Sequence, residues 1–356
     1  MKSSFGLAVS PLHILAVSLF LAAVPSHAPA GQQISAADLA AAKAAYQRPP
    51  PRPAENQALV ELGRLLFWDP RTSASGRTAC VSCHLPQLGW AVNDPRSRND
   101  SGKLTSRKSP TLLGIGHFGP GVPNGWDGRN VSLEAQAKAS IATGSMSMRE
   151  TENPVKVEVV EERIRGISGY VERFKAALPG TSINIDSIVR AMATYEETFE
   201  PGPAPFDRWV AGDEAAISEQ AKRGFVLFND KALCSTCHVG WRFTDDGFHD
   251  IGTSTTDLGR GREVKNDPQL QYAFKTPTLR SVALRAPYMH NGSLADLDAV
   301  VRHYEKGGLD RPSRSPMMMP VQLDDGERAD LVAFLATLTG TPEGDAAPRL
   351  PGIEEK

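Results

Sequence analysis

The sequence has little excess charge, few cysteines and no long apolar run after its first thirty residues. Lysine plus arginine (39) nearly balances aspartate plus glutamate (41), which leaves a formal charge of −2. Without a basic field, a nucleic-acid partner is not expected. Without a further apolar run, an integral membrane protein is not expected either. Strand signals are weak, whereas Gly (31) and Pro (27) are frequent, so the sequence predicts helices joined by long loops.

The N-terminus has the pattern of an export signal. Lys2 precedes an apolar stretch from Ile14 to Val24, and Ala28-Pro29-Ala30 provides a small-residue cleavage site before Gly31. The apolar stretch is short for a membrane span, although an uncleaved anchor is the alternative. The sequence therefore predicts a signal peptide over residues 1–30 and a periplasmic mature protein.

All four cysteines lie in two copies of the pattern C-x-x-C-H. In this pattern two thiols can add to the vinyl groups of one haem, and the adjacent histidine can ligate the iron. A single C-x-x-C would also suit a redox disulfide or half of a zinc site. Two copies with no spare cysteine predict two covalently bound haem c groups. The residues are Cys80, Cys83 and His84 in the first motif and Cys234, Cys237 and His238 in the second.

A similar helical segment precedes each haem motif, which indicates an internal duplication. The segment at Gly63 and the segment at Gly224 both read G-x-x-L-F. A small residue beside apolar ones lets a helix approach its partner closely. The two helices are predicted over residues 56–68 and 218–228.

Apolar stripes at helical spacing and proline-rich segments complete the predicted organisation. One stripe contains Tyr170 and Phe174, and Pro201 to Pro205 is predicted to link two domains. The predicted fold is mostly α, with two cytochrome-c-like haem domains, long loops and little strand. After the signal peptide, the predicted parts are a proline-rich tether (31–55), a first haem domain (56–200), a second haem domain (206–340) and a flexible tail (341–356).

Several further motifs follow one another in order between Leu62 and Leu338. They are Ser109-Pro110-Thr111-Leu112, Trp126-Asp127-Gly128-Arg129, Phe206-Asp207-Arg208, Asp257-Leu258-Gly259-Arg260, Thr276-Pro277-Thr278-Leu279-Arg280 and Ala286-Pro287-Tyr288-Met289-His290-Asn291-Gly292. With these motifs the chain resembles the bacterial di-haem cytochrome c peroxidases and their MauG-like relatives. The resemblance implies peroxide chemistry at the first haem and electron transfer through the second.

Two positions resemble the MauG-like branch. In the reductively activated peroxidases a loop histidine blocks the first iron, but residues 85–116 contain no histidine. In those peroxidases a methionine seven residues after a helix leucine ligates the second iron, and that count from Leu297 reaches Tyr304. A phenolate ligand stabilises ferric iron and lowers its potential. Other ligands stay open: His303, Met289 or Met317 to Met319 for the second iron, and Met146, Met148 or His117 for the first.

The resemblance assigns catalytic roles as well. Trp126 is expected between the haems as an electron relay, and Gln136 matches a distal glutamine of the family. The family's acid–base glutamate corresponds to Met146, which leaves Glu150 or Glu152 as substitutes if the loop is displaced. The proton donor is therefore unassigned.

Charged groups and a metal ion are also implied by the resemblance. Arg260 and Arg280 are expected to pair with haem propionates, with surface ion pairs as the alternative. Family members hold calcium partly through backbone carbonyls that correspond to Arg285 and Pro287. The third ligand is an asparagine in the family, but its position carries Lys108, which argues against an unchanged site.

The predicted function is that of a periplasmic MauG-like peroxidase. H₂O₂ would react at the first haem, and Trp126 would share the oxidising equivalents with the second haem to oxidise a Trp or Tyr side chain of a partner protein. One alternative is a detoxifying cytochrome c peroxidase that takes electrons from a small cytochrome or cupredoxin. Another is a plain electron-transfer cytochrome with both irons closed, which the missing distal glutamate favours and the histidine-free loop disfavours.

Overall fold

The computed structural model describes residues 35–50, 56–119, 121–148, 155–340 and 346–353. Within these ranges the structure is mostly helical, which confirms the predicted fold class, and its one sheet pairs β1 (Phe248–His249) antiparallel with β2 (Phe274–Lys275). The helices are α1 (Ala36–Ala45), α2 (Gln57–Trp68), α3 (Leu133–Ala142), α4 (Val157–Arg165), α5 (Ser168–Ala177), α6 (Ile185–Glu196), α7 (Pro205–Val210), α8 (Glu219–Asn229), α9 (Leu297–Glu305) and α10 (Asp325–Ala336).

Two helix crossings organise the fold, α2 on α6 and α8 on α10. At the first crossing, a Cβ added to Gly63 would overlap the carbonyl oxygen of Ala191. At the second, a Cβ added to Gly224 would overlap the carbonyl oxygen of Asp330. The repeated G-x-x-L-F segments therefore mark two equivalent helix crossings, as their sequences predicted.

The two predicted helices ahead of the haem motifs are confirmed, and each begins at a polar cap. The Asn56 side chain accepts a hydrogen bond from the backbone N–H of Leu59 at the start of α2. The Ser218 side chain accepts one from Ala221 at the start of α8. Such caps satisfy backbone donors that have no partner within the helix.

Two hydrophobic cores lie beside these crossings. The first gathers α2, α5 and α6 around buried side chains such as Leu66, Tyr170 and Met192. The second gathers α7, α8 and α10 around packed aromatic rings, including Phe206 and Phe334. Each core lies beside one haem motif, since Cys80 packs against the first and Cys234 against the second.

The predicted linker is packed rather than free. Pro201, Gly202 and Ala204 are buried, and a Cβ on Gly340 would overlap the carbonyl oxygen of Gly202. Residues from Ala36 onward group into one compact unit. The division into two haem domains therefore stays a prediction.

The predicted proline-rich tether, residues 31–55, contains a helix in its described part. Residues 36–45 form α1, and the Tyr46 that follows is only 2% exposed. Its ring stacks on Phe243 with centroids 4.6 Å apart, and its hydroxyl donates to Oδ1 of Asn229 at 2.8 Å. The alanine-rich stretch favours helix, and a buried tyrosine ring anchors it to the second core.

Residues 346–353 of the predicted flexible tail contact the rest of the chain. Arg64 donates to the carbonyl oxygen of Ala346 at 2.6 Å, and Arg71 donates to that of Pro351 at 2.7 Å. Leu350 packs against the first core. The tail therefore docks onto the half that carries the first haem motif.

The predicted signal peptide, residues 1–30, lies outside the described residues. Among the described helices, none has both the length and the apolar character needed to cross a bilayer. The export prediction consequently rests on the sequence pattern alone.

Candidate functional site

The first haem motif presents His84 in a defined orientation. Cys80–Ser82 forms a single 3-10 turn, and Nδ1 of His84 lies 3.0 Å from the carbonyl oxygen of Trp90. Because a carbonyl only accepts, Nδ1 carries the proton and the Nε2 lone pair is available for a metal. Burial lowers the pKa of His84, which favours the neutral imidazole that metals bind.

The second motif repeats this arrangement. Cys234–Thr236 forms a 3-10 turn, and Nδ1 of His238 donates to the carbonyl oxygen of Phe243 at 2.8 Å. Burial is again the main cause that lowers the pKa of the histidine. Trp90 and Phe243 both have left-handed backbones, with φ of 56° and 55°. Non-glycine residues adopt this conformation rarely, and here it aims a carbonyl at each motif histidine.

The donor set in each motif fits a covalently attached haem. The four thiols are free of disulfides, and each motif opens into its own cavity lined by both cysteines and the histidine. Burial raises the pKa of Cys80 and raises that of Cys234 to about 12, so the thiols stay protonated. These cavities have the reactive groups and the largely apolar walls that thioether-linked haem requires.

A zinc site does not match the described residues. Their one cluster of candidate metal ligands consists of Cys237, Asp245 and His249. It offers three ligands, whereas structural zinc takes four. His249 is instead engaged by Asp245, with Nε2 and Oδ2 2.7 Å apart, and this hydrogen bond raises the pKa of the histidine to about 10.

Trp126 lies in the wall that the two cavities share. Its indole Nε1 donates to the carbonyl oxygen of Lys108 at 2.8 Å. Its own carbonyl oxygen accepts from the backbone N–H of Lys275, also at 2.8 Å. One hydrogen bond thus holds the indole ring and the other holds the backbone of Trp126.

Tyr304 lies on α9 and lines the second cavity together with His238. Burial raises the pKa of its hydroxyl, because a phenolate would face an apolar cavity without a metal cation. The competing His303 is absent from that lining, and its Nε2 lies 2.8 Å from the carbonyl oxygen of Ile251. Methionines do line the second cavity: Met289, Met317, Met318 and Met319.

Of the three residues predicted as alternative ligands of the first iron, only one lines the first cavity. Nε2 of His117 pairs with Glu200, and His117 does not line the cavity. Met148 does not line it either, whereas Met146 does and is buried. Hydrogen bonds of 2.9 Å hold the backbone of Met146 to Ala74 and Ser140, so this loop is anchored.

Gln136 lines the first cavity as predicted from the resemblance, and its amide is fully engaged. Its Oε1 accepts from Nδ2 of Asn130 at 2.6 Å, and its Nε2 donates to Oγ of Ser140 at 3.3 Å. Glu150 and Glu152, the two substitute acids, lie outside the described residues.

Glu196 is an acid of the first cavity that the sequence did not reveal. Among the described residues, three carboxyl groups line this cavity, and two of them are paired with cations. Asp127 accepts from Arg107 at 2.6 Å, and Asp246 accepts from Arg242 at 3.3 Å. Glu196 is 7% exposed, and burial followed by neighbouring glutamates raises its pKa to about 8. The raised pKa of Glu196 favours the protonated form of this carboxyl group at neutral pH.

Nothing in the local sequence marks Glu196, because its surroundings come from elements far apart in the chain. Its charged neighbours are Glu134 on α3 and Glu197 at the end of α6. Cys80 of the first motif interacts electrostatically with it as well. Of these groups, Glu196 and Cys80 line the first cavity, and only the folded arrangement brings them together.

The arginines expected at the haem propionates have protein partners. Nη1 of Arg280 donates to Oδ1 of Asp207 at 2.7 Å, while its buried Nη2 has no partner among the described residues. Arg260 donates to the carbonyl oxygens of Asp127 and Gly128. Neither side chain lines either cavity, so their pairing with propionates remains a prediction.

One of the two carbonyl groups predicted for calcium, that of Arg285, accepts a hydrogen bond from an ammonium group. Nζ of Lys108 donates to the carbonyl oxygen of Arg285 at 3.0 Å and to that of Ala286 at 3.3 Å. Pro287 lines the second cavity close by. An ammonium at this point does not fit a calcium ion, because the two cations would share the carbonyl oxygen of Arg285.

Two protein-family models match this chain, and each match contains one of the two haem motifs. The family model described as di-haem cytochrome c peroxidase matches residues 57–215, and the model described as cytochrome c matches residues 221–339. The methylamine utilization protein MauG of Methylorubrum extorquens is 43% identical over 345 residues, covering 94% of this chain and 94% of that protein. MauG of Methylophilus methylotrophus is 40% identical, covering 86% of this chain and 91% of that protein.

A solved structure shows the same fold. It is a MauG-like protein associated with microbial copper homeostasis, and it superposes with a TM-score of 0.71 at 27% sequence identity. The match covers 83% of this chain and 94% of that chain. The shared fold thus extends over both haem motifs.

Proposed function

The chain belongs to the di-haem cytochrome c peroxidase family, whose members include MauG, and we propose that it is an exported MauG-like enzyme that oxidises a partner protein. It is a haem-dependent peroxidase with two haem c groups, and its substrates are H₂O₂ and a redox partner. The partner is proposed to be a protein whose Trp or Tyr side chain is oxidised.

The observation that carries this proposal is the position of Trp126 in the wall of both cavities. Indole is polarisable and oxidisable, so it suits an electron relay between two redox centres. The hydrogen bond from Nε1 to Lys108 and the contact of its carbonyl with Lys275 fix the ring there. A relay of this kind would let a partner bound near the second cavity supply electrons to the first.

At the first cavity, reduction of H₂O₂ to two waters consumes two electrons and two protons. Haem bound at His84 supplies iron for cleavage of the O–O bond. Glu196 holds a proton at the cavity wall. We propose that it acts as the general acid that donates this proton to H₂O₂. The two electrons reach this cavity through Trp126 from the partner side chain, and the oxidation of that side chain releases the second proton that the reaction consumes.

At the second cavity, Tyr304 and His238 are the residues that we propose would hold the iron of a bound haem. Both side chains line the cavity, and His303 is engaged with a backbone carbonyl instead. A phenolate donor favours the ferric state of iron, which suits a centre that stores oxidising equivalents.

The test is an electron paramagnetic resonance and optical experiment on the diferric holoprotein. We expect one high-spin and one low-spin haem signal, both changing after one equivalent of H₂O₂ without added reductant. In Trp126→Phe only the first signal should respond promptly. Trp241→Phe is the matched control, because Trp241 lines neither cavity. An equal response of both haems in Trp126→Phe would refute the relay.

The family match also favours a second candidate function, detoxification of H₂O₂ with electrons from a small cytochrome or cupredoxin. Steady turnover with such a reduced donor, without modification of any protein, would identify it. Two low-spin haems that ignore H₂O₂ would instead indicate a plain electron-transfer cytochrome.

Export is proposed from the N-terminal pattern. Periplasmic protein should begin at Gly31, because Ala28-Pro29-Ala30 is the predicted cleavage site. Intact-mass measurement of the secreted holoprotein checks this directly. A mass that includes residues 1–30 would show an uncleaved anchor.

A further inference from the structure

Lys108 is a buried cation in the lining of the second cavity, next to Trp126, which lines both cavities. We call the contact region of Lys108, Trp126 and residues 285–290 the junction. Lys108 is 5% exposed, and its Nζ donates to two consecutive backbone carbonyls, those of Arg285 and Ala286. Within the described residues no carboxylate forms an ion pair with it. Carbonyl dipoles thus stabilise the ammonium, and oxygen donors of this kind also bind hard metal cations.

The backbone of the same residue joins the parts of this junction. The N–H of Lys108 donates to the carbonyl oxygen of His290 at 2.8 Å. Its carbonyl oxygen accepts from Nε1 of Trp126 at 2.8 Å. Side chain and main chain of Lys108 therefore tie the loop of residues 285–290 to the indole.

The cations already present leave no suitable place for a metal ion. The guanidinium of Arg285 is buried, and its Nη2 donates to the carbonyl oxygens of Thr278 and Arg280. A divalent ion at the Arg285 carbonyl would lie beside the Lys108 ammonium in a region of low dielectric. Their repulsion would be far stronger there than in water.

We propose that the Lys108 ammonium is a built-in replacement for the calcium ion of related proteins. It holds the 285–290 loop against Trp126, so the junction between the haem cavities needs no metal. Lys108 is a positioning residue in this scheme. The effect of Lys108 on electron transfer through Trp126 rests on the proposed function. The prediction that the protein needs no calcium does not.

The first experiment uses the wild-type holoprotein. After dialysis against a calcium chelator, elemental analysis should find iron but no stoichiometric calcium. The electron paramagnetic resonance spectrum and the melting temperature should match those before dialysis. Calcium retained at one ion per chain, or a spectrum altered by the chelator, would overturn the proposal.

The second experiment restores a neutral oxygen donor. Lys108→Asn should bind calcium with 1:1 stoichiometry in titration calorimetry, and calcium should raise its melting temperature and restore the wild-type spectrum. Lys108→Met, which lacks both the charge and the oxygen, should be destabilised without rescue by calcium. Lys103→Asn is the matched control on an exposed lysine and should gain no calcium affinity.

Two results would contradict the inference in these variants. One is a Lys108→Asn protein that shows no affinity for calcium. The other is a Lys108→Met protein whose spectrum and melting temperature equal those of the wild type, since the junction would then need no cation. Neither readout uses peroxide, so failure here is separate from failure of the proposed enzymatic function.

Discussion

At the scale of single residues, two backbone carbonyls orient the histidines of the haem motifs. Trp90 and Phe243 hold the Nδ1 atoms of His84 and His238, and both residues adopt left-handed backbones to do so. Such a conformation costs about 1–3 kcal/mol per residue. Because the partner of Nδ1 fixes the tautomer and the ring orientation, both imidazoles are oriented before iron is bound.

Glu196 leads to a prediction on pH dependence. Its pKa of about 8 exceeds the usual value for glutamate, so the folded chain keeps a proton that the unfolded chain releases. This contribution to stability is complete at acidic pH, declines as pH rises above the unfolded pKa, and is lost above about 8. We expect the melting temperature of the wild type to fall relative to that of Glu196→Gln across this window.

The rate of the reaction with H₂O₂ should also depend on the protonation of Glu196. This rate in the wild type should fall as pH rises through about 8, whereas Glu196→Gln should react slowly at all pH values. Infrared spectroscopy should find a protonated carboxyl band at neutral pH that Glu196→Gln lacks. Glu172→Gln, at an exposed site, is the control. A wild-type rate profile shared by Glu196→Gln would exclude this proton donor.

Tyr304 gives a prediction on spin state. Tyr304→Phe should convert the low-spin haem signal to high spin, because the phenyl ring cannot ligate iron. Tyr304→Met should keep a six-coordinate haem with a raised midpoint potential, because thioether stabilises ferric iron less than phenolate does. His303→Phe is the neighbouring control, and loss of the low-spin signal in that variant would reassign the ligand.

At the scale of elements, the helix crossings depend on glycine. Gly63→Ala should lower the free energy of unfolding by about 1–3 kcal/mol, the usual cost of overpacking, because its Cβ would meet the backbone of Ala191. Gly119→Ala is the control, since the nearest atom lies 3.7 Å from the added Cβ. Denaturant unfolding of both variants measures the difference, and equal stabilities would show that the crossing can open without cost.

Elements with a strong local signal could be predicted from the sequence. The repeated G-x-x-L-F segments located α2 and α8 to within a residue at each end. Helix α1 was missed because the prolines after it dominated the interpretation, and because Tyr46 finds its partners in the second core. Local patterns predict where a helix forms, but they do not show what a single aromatic residue at its end will contact.

At the scale of the whole molecule, the described ends of the chain dock on opposite halves. Helix α1 and Tyr46 complete the second core, while Leu350 packs on the first. Removal of residues 341–356 should therefore lower the melting temperature of the holoprotein and perturb the first haem more than the second. Ile353→Ser, at an exposed position of the same tail, should leave both unchanged. A truncated protein with the wild-type melting temperature would show that tail docking adds no stability.

The sequence predicted those residues of the candidate site that belong to short motifs. The C-x-x-C-H pairs and the family motifs pointed to haem attachment, Trp126 and Tyr304. The sequence singled out Lys108 as a departure from the family's calcium site but did not predict its partners, and it did not reveal Glu196, because both roles arise from long-range contacts. Lys108 binds a carbonyl 177 residues away, and Glu196 acquires its pKa from burial that no local pattern records.

The crossed docking of the chain ends also bears on the order of folding. Synthesis releases α1 long before α8 and α10, and the first core lacks its covering tail until the last residues appear. Haem attachment at the first motif would then occur on an incompletely closed chain. A gene split between the two motifs would give fragments that each carry part of the other's core, so the two pieces should assemble together and fold poorly apart.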